Sequence, residues 1–582
     1  MNLLFYINNR FFLKLISQKI NYLLFFILFL VNYPSLSNSS IVVTAHPLAT
    51  KTGIEILKKG GNAVDAAVGI QATLGLVEPQ SSGFGGGGFL LYYSAKNNEL
   101  TSWDGRETAP LKITPNIFEK YKNSFSGFYK AVTSPVSIGV PGIPLLLEKV
   151  HSKYGKLNWR SLFEHSIDLS SNGFKVTPRL NTLIDRDKFL KKNETTKNYF
   201  YHEVNLNFKP VKVGYLLKND KYSNTLKTFS SLKPSKSFYQ GKIGKQILND
   251  LSKLSQKSLL EINDFTSYRV IKRHPVCGNY RKFKVCSMGP PSSGGITLLQ
   301  ILGILNEFNM KKFQNDLTTT IHLFSEATKL AFEDRSVYIG DPDFYNVPVK
   351  KLLDKKYLKL RAKSISLNKS LGVYNPGKIF SISKDDKNKD ISSSSTTHFV
   401  VYDKFGNGLS MTSSVESAFG SRIMSSGMIL NNQLTDFSFT SKNKLNKFLA
   451  NSVQPGKRPM SSMTPTIIFD DKDNIYAMIG SPGGKFIISY VAQSIIHLID
   501  WNYSMQDAIN FPRFTTTDKG IFIEKNTELS RVIKNLKQLG HKDVFERRHF
   551  SGLHGIKIIK NPKIFTEGGY DPRREGKIGI LK

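Results

Sequence analysis

Cysteine is almost missing from this chain: 582 residues contain two, Cys277 and Cys286. They flank Gly278-Asn279-Tyr280-Arg281 in a short hairpin pattern, and no histidine or further cysteine stands at ligand spacing, which argues against a metal site. Acidic residues are also scarce. Asp and Glu total 45 against 81 Lys and Arg, a formal charge of +36 that raises the question of a polyanionic partner. The lysines, however, are spread through Lys188–Lys197, Lys218–Lys236 and Lys442–Lys447 among Asn, Ile, Ser and Phe. With no RNP motif, zinc spacing or basic helix to gather them, they read as a solvated surface without a nucleic-acid partner. Long apolar runs are absent as well. Tyr22–Val31 is uninterrupted for only about ten residues, where a bilayer span needs ~20, and no second candidate follows. There is no internal repeat.

The short apolar run has a different use. Arg10, Lys14 and Lys19 precede it, and Pro34-Ser35-Leu36-Ser37 supplies small residues after it, the layout of a signal peptide over residues 1–37. A retained anchor is the alternative. Export, with a bacterial periplasm as the destination, suits a disulfide between Cys277 and Cys286; two buried thiols are the other reading. Apart from this segment, no stable membrane partner is expected.

Along the mature chain, Pro47–Lys59 has a helical pattern that stops at Gly60-Gly61, and Asn62 caps a second helix, Ala63–Val77, rich in small apolar residues. The glycines of Gly83-Phe84-Gly85-Gly86-Gly87-Gly88 formally contain G-x-G-x-x-G. A dinucleotide site needs strand, glycines, helix, whereas the order here is helix, glycines, strand (Phe89–Ser94), so the run instead lets backbone pass close to another element. Trp103–Pro110 reads as a compact turn carrying one arginine, Arg106, suited to a carboxylate. Pro290-Pro291-Ser292-Ser293-Gly294-Gly295 precedes an apolar helix, Ile296–Leu305, and a helix at 318–332 is followed by Glu333-Asp334-Arg335. Ser381–Ser395 is polar, aperiodic and reads as an exposed linker.

That linker ends at Thr396-Thr397-His398, which opens a strand through Tyr402; a turn and a second strand, Leu409–Ser414, bring Ser414 near Thr396. If the bond before Thr396 is cut, that residue gains an α-amine with a pKa of roughly 7.7–8 beside its own hydroxyl, so nucleophile and base share one residue. Further on, Gly480-Ser481-Pro482-Gly483-Gly484 opens an apolar helix, Phe486–Ile499. Two glycine N–H groups at a helix start suit an oxyanion.

Together these segments resemble the gamma-glutamyltransferase (gamma-glutamyltranspeptidase) family of N-terminal nucleophile hydrolases, from about Ile41 to Leu581. The motifs are Lys59–Ala67, the four-glycine loop, Pro291–Gly295, Thr396–His398, Asn431-Asn432-Gln433, Arg458–Met463, Ser481–Gly484 and Asp571–Arg574. The resemblance implies an α+β fold, a four-layer αββα sandwich of two stacked antiparallel sheets. It implies self-cleavage between Ser395 and Thr396 into a large subunit (38–395) and a small one (396–582) that stay together, acting on a glutathione-like γ-glutamyl compound without cofactor or metal. Thr396 would be the nucleophile, Ser414 would orient it, and Gly483 and Gly484 would hold the oxyanion. Arg106, Ser461 and Ser462 would take the substrate α-carboxylate, and Gln433 and Asp436 its ammonium. Glu416 departs from the Asn of familiar relatives and places an extra carboxylate at the ammonium side. His398 reads as a structural strand residue, and Asp334-Arg335 and Arg573-Arg574 as internal ion pairs. The alternatives are a related amidase acting on glutaryl-type amides and a non-catalytic basic surface-binding relative.

Overall fold

A computed structural model describes residues 39–122, 124–379, 395–517, 519–549, 551–560 and 564–582. The expected signal segment, and all of the expected linker except its last residue, Ser395, lie outside the described residues. The elements that build the core begin with β1 (Ser40–Thr44), α1 (Pro47–Lys58), α2 (Ala63–Val77), β2 (Gly87–Ser94) and β3 (Glu99–Gly105). They continue with β4 (Ile271–Arg273), β5 (Val276–Tyr280), β6 (Phe283–Ser287), α3 (Gly294–Leu305) and α4 (Leu317–Tyr338). After the linker come β7 (Ser395–Tyr402), β8 (Gly408–Glu416), β9 (Thr466–Phe469), β10 (Ile475–Gly480) and α5 (Ile487–Ile499). The chain closes with β11 (His554–Lys560), β12 (Ile564–Tyr570) and β13 (Lys577–Leu581).

Two antiparallel sheets form, one in the order β13-β1-β7-β8-β2-β3-β4 and one in the order β12-β11-β10-β9-β6-β5. Their side chains alternate as the pleat requires. Ile41, Val43, Val400 and Tyr402 face Ile467, Phe469, Met478 and Ile556 of the other sheet, forming a core between the sheets. Their neighbours Val42, Phe399 and Val401 face the opposite way, into a cluster with Ala66, Ile70 and Leu74 of α2. On the second sheet, Val285, Ile468, Ala477 and Ile479 pack outward on α3 and α5. Strands buried on both faces explain the near-continuous apolar runs in the sequence, each fully buried aliphatic side chain contributing on the order of 1.5–3 kcal/mol. The result is helix, sheet, sheet, helix.

Local signals hold well. Asn62 caps α2 by accepting from the Val64 and Asp65 N–H groups, and Asp65 accepts from the Asn62 N–H in return. Cys277 and Cys286 are partners in the β5–β6 register and are joined by a disulfide. Two expectations need correction. Trp103–Gly105 is the end of strand β3, paired with Gly88–Leu90 on one side and, at Trp103 and Asp104, with β4 on the other, so the turn starts only at Arg106. Helix α4 does not end at residue 332 but runs to Tyr338, carrying Glu333, Asp334 and Arg335 within it.

Candidate active site

Strands β7 and β8 form a hairpin whose register shifts between Ser395 and Thr397, so Thr396 sits at a bulge. Bulges re-aim side chains, and here the Thr396 hydroxyl lies 3.2 Å from the Ser414 hydroxyl. Ser414 donates to the Ser395 carbonyl oxygen at 2.7 Å and accepts from the Glu416 N–H at 2.9 Å. A hydroxyl has one proton. With that of Ser414 committed to Ser395, Thr396 is the donor in the contact between the two hydroxyls. The Thr396 carbonyl is held by Arg574 at 2.9 Å, and the Ser395 hydroxyl donates to the Gln80 carbonyl. The four-glycine loop explains itself at this point: a Cβ on Gly86 would stand 2.1 Å from the Ser414 carbonyl oxygen.

Thr396 and Ser414 open onto a pocket that also contains Arg106, Arg335, Glu416, Gln433, Asp436, Ser461, Ser462 and Gly484, with Met460, Met463, Lys485 and Ile487. Gly483 is not among its lining residues. Gly483 and Gly484 both have positive φ, 138° and 58°, and a short 3-10 turn, Gly484–Phe486, precedes α5. The backbone therefore turns through a conformation that favours glycine just where Gly484 meets the pocket.

Recognition elements converge from distant segments. Arg106 is fully buried; its Nη2 donates to Asp436 at 2.6 Å and to the Met460 carbonyl, and its Nε to the Pro459 carbonyl. Among the described residues its Nη1 has no hydrogen-bond partner, and it lies 3.7 Å from Glu107. The Gln433 amide donates to Asp436 at 2.8 Å, while its Oε1 is buried without a donor. Asn431 fixes the Gln433 N–H and Asn432 donates to Glu416 at 2.7 Å, so the Asn-Asn-Gln motif clamps the acidic wall. Glu107 itself is fully buried, and desolvation, opposed by Arg106, pushes its pKa up to about 8.

The segment bearing Ser461 and Ser462 is anchored by ions and by a neighbouring loop. The Arg458 N–H is bonded to Asp341, and its guanidinium lies 3.4 Å from Asp104. The Ser461 N–H donates to the Pro291 carbonyl at 3.0 Å, and Ser293 returns two bonds to the Ser461 carbonyl.

Other expectations divide. His398 is buried beside Thr412, outside the pocket lining. Arg573 pairs with Glu524 and Asp571, as expected of an internal ion pair, but Arg574 donates to the Thr396 carbonyl. Asp334 and Arg335 do not pair with each other. Adjacent helical residues point about 100° apart; Asp334 meets Arg361, Gln300 and Tyr357, while Arg335 turns to the pocket. Sequence reasoning missed Arg335 because it set the residue aside as part of an internal ion pair; a helical projection would have turned it away from Asp334. Among the described residues, one cluster of metal-ligand types occurs, His322, Glu326 and His541, away from the pocket. Its carboxylate already accepts from Ser370, Tyr374 and the Leu371 N–H.

Two sheets stacked between helices, with a threonine at the head of a central strand and a second hydroxyl on its partner, define an N-terminal nucleophile hydrolase. A solved cephalosporin acylase from Bacillus halodurans shares this fold, with a TM-score of 0.79 at 24% identity over 94% of this chain and 98% of that one. The sequence matches the gamma-glutamyltranspeptidase family over residues 49–581. It is 37% identical over 549 residues to a glutathione hydrolase proenzyme of Bacillus subtilis (strain 168), covering 93% of this chain and 91% of the relative. It is 36% identical over 495 residues to the glutathione hydrolase proenzyme of Escherichia coli (strain K12), covering 82% and 81% respectively. The chain belongs to the gamma-glutamyltranspeptidase family.

Proposed function

We propose that the protein cuts itself between Ser395 and Thr396 and then cleaves the γ-glutamyl amide of glutathione and related compounds, passing the acyl group to water or to an amino acid or peptide. The carrying observation is the Ser414 hydroxyl set between the Thr396 hydroxyl and the Ser395 carbonyl, at the edge of a pocket with a cationic and an anionic side.

In self-cleavage, Thr396 Oγ1 attacks the Ser395 carbonyl carbon, its proton passes to Ser414, and the Ser414 proton moves to the carbonyl oxygen. Collapse breaks the C–N bond, the Thr396 nitrogen gains a proton, and an ester remains for water to hydrolyse. The products are a Ser395 carboxylate and a Thr396 amine, dividing the chain into subunits of residues 38–395 and 396–582. In catalysis the α-amine takes the Thr396 hydroxyl proton as the oxygen attacks the γ-carbonyl. The Gly484 N–H, with that of Gly483, stabilises the oxyanion, the leaving amine receives the proton, and the γ-glutamyl ester passes to the acceptor. The substrate α-carboxylate lies against Arg106, Ser461 and Ser462. Its ammonium lies against Asp436, Glu416 and Gln433, whose unpaired Oε1 calls for an N–H donor. A glutaryl amide has the carboxylate but no ammonium and would leave that acceptor unmet, at a cost of about 1–3 kcal/mol. Residues 1–37 direct export, and the mature enzyme works in the periplasm. Among the described residues, no helix is long and apolar enough to cross a membrane.

The test has two parts. N-terminal sequencing of purified protein should find one fragment starting at Thr396, and Thr396→Ala should remain full-length and inactive. Wild type should hydrolyse a γ-glutamyl 4-nitroanilide faster than its glutaryl analogue. An intact junction in active enzyme, or a glutaryl preference, would refute the proposal.

A further inference from the structure

The structure assigns Arg335 a role in this enzyme: it is a positioning residue for the substrate α-carboxylate, acting through Ser462. The inference rests on the γ-glutamyl reading above. Arg335 is 5% exposed and lies on the pocket face of α4. Its Nε donates to the Ser293 hydroxyl at 2.8 Å and its Nη2 to the Ser462 hydroxyl at 3.0 Å.

The direction of each proton follows. Arginine cannot accept, so both serine oxygens are acceptors toward it. Ser293 sends its own proton to the Ser461 carbonyl at 2.6 Å. Ser462 makes no other hydroxyl bond among the described residues, so its proton is left for the pocket. Ser461 is set the same way: its oxygen accepts from the Met463 N–H at 3.1 Å, and among the described residues its proton is uncommitted. Two neighbouring hydroxyls, each with a lone pair occupied by a fixed N–H and a proton to spare, form a matched pair of donors for the two oxygens of one carboxylate. The guanidinium polarises one of them, making that bond charge-assisted. The geometry also explains why an arginine is present, since a forked head reaches Ser293 and Ser462 together and an ammonium does not. The Pro-Pro-Ser-Ser-Gly-Gly motif thereby gains a purpose: it supplies the Ser293 platform and the carbonyl that fixes Ser461.

The experiment compares wild type, Arg335→Gln, Arg335→Lys, Ser462→Ala and the Arg335→Gln/Ser462→Ala double variant on γ-glutamyl 4-nitroanilide, with a denaturing gel confirming self-cleavage. Arg335→Gln should raise KM about 10- to 100-fold, the loss of one hydrogen bond to a charged group, with kcat changed far less and Arg335→Lys in between. Inhibition by L-glutamate should weaken in parallel, while inhibition by 4-aminobutanoate, which lacks the α-carboxylate, should not. Because Arg335 acts through Ser462, the double variant should match Ser462→Ala rather than multiply the two effects. An unchanged KM, a loss confined to kcat, or multiplying effects would overturn the role. If Arg335→Gln does not self-cleave, the same cycle with Arg335→Lys decides. An inactive wild type would instead refute the γ-glutamyl reading, and this inference with it.

Discussion

The two sides of the pocket are built on opposite plans. The reacting side is a single hairpin: Thr396, Ser414 and Ser395 come from adjacent strands, and the Ser414 hydroxyl is hydrogen-bonded in every direction. The proposed recognition side brings together residues 106, 335, 416, 433, 436, 461 and 462, and among the described residues it leaves valences open, at Arg106 Nη1 and Gln433 Oε1. A saturated network fixes one geometry and suits a bond that must be attacked along one line. An unsaturated one is costly when empty and is completed by the right ligand; in the proposed reading that difference separates a full γ-glutamyl head from a truncated one.

The largest expected effect tests the saturated side. Ser414→Ala removes a hydroxyl donor from the Ser395 carbonyl, and by analogy with oxyanion-hole donors self-cleavage should slow about 10²- to 10³-fold. The disappearance of full-length chain over time on a gel measures it, and unchanged processing would show that Ser414 is a bystander. Next, Asp436→Asn removes the carboxylate that accepts from both Arg106 and Gln433, the anion of the proposed ammonium subsite. Breaking a buried charged pair costs about 2–5 kcal/mol, so kcat/KM on the γ-glutamyl anilide should fall accordingly. The glutaryl anilide should suffer less; equal losses would mean that Asp436 reads no ammonium.

The smallest effect concerns Glu107, beneath the recognition side. Folded, its carboxyl keeps its proton up to about pH 8, whereas in the unfolded chain it ionises near its ordinary 4.5. The folded state therefore binds the extra proton, and this group makes stability fall as pH rises between those values. Glu107→Gln should flatten the decline of Tm across that window, as thermal melts would show; an unaltered slope would place the titration elsewhere.

Much of this contrast was legible in the sequence. The hairpin could be read because Thr396 and Ser414 are close in the chain and strand alternation fixes their separation. Arg106 stood out locally as a carboxylate ligand, but its partners on the recognition side could be named only through family resemblance, since nothing local says that Arg106 meets Asp436 across 330 positions. Arg335 escaped both routes. An internal-ion-pair reading covered it together with Asp334, and only the full length of α4 shows the two facing different ways. Trp103–Gly105 was misjudged for a related reason: short Trp-Asp-Gly chemistry looks like a turn until β2 and β4 are seen on either side of it.

The strand order has a consequence of its own. In the larger sheet, β1, from before the junction, is flanked by β13 and β7 from after it, and β8 is paired in turn with β2. A break ahead of Thr396 thus yields two polypeptides laced through each other, and parting them would mean unzipping the middle of the sheet. The cut can free a chain end for chemistry while the molecule keeps its shape.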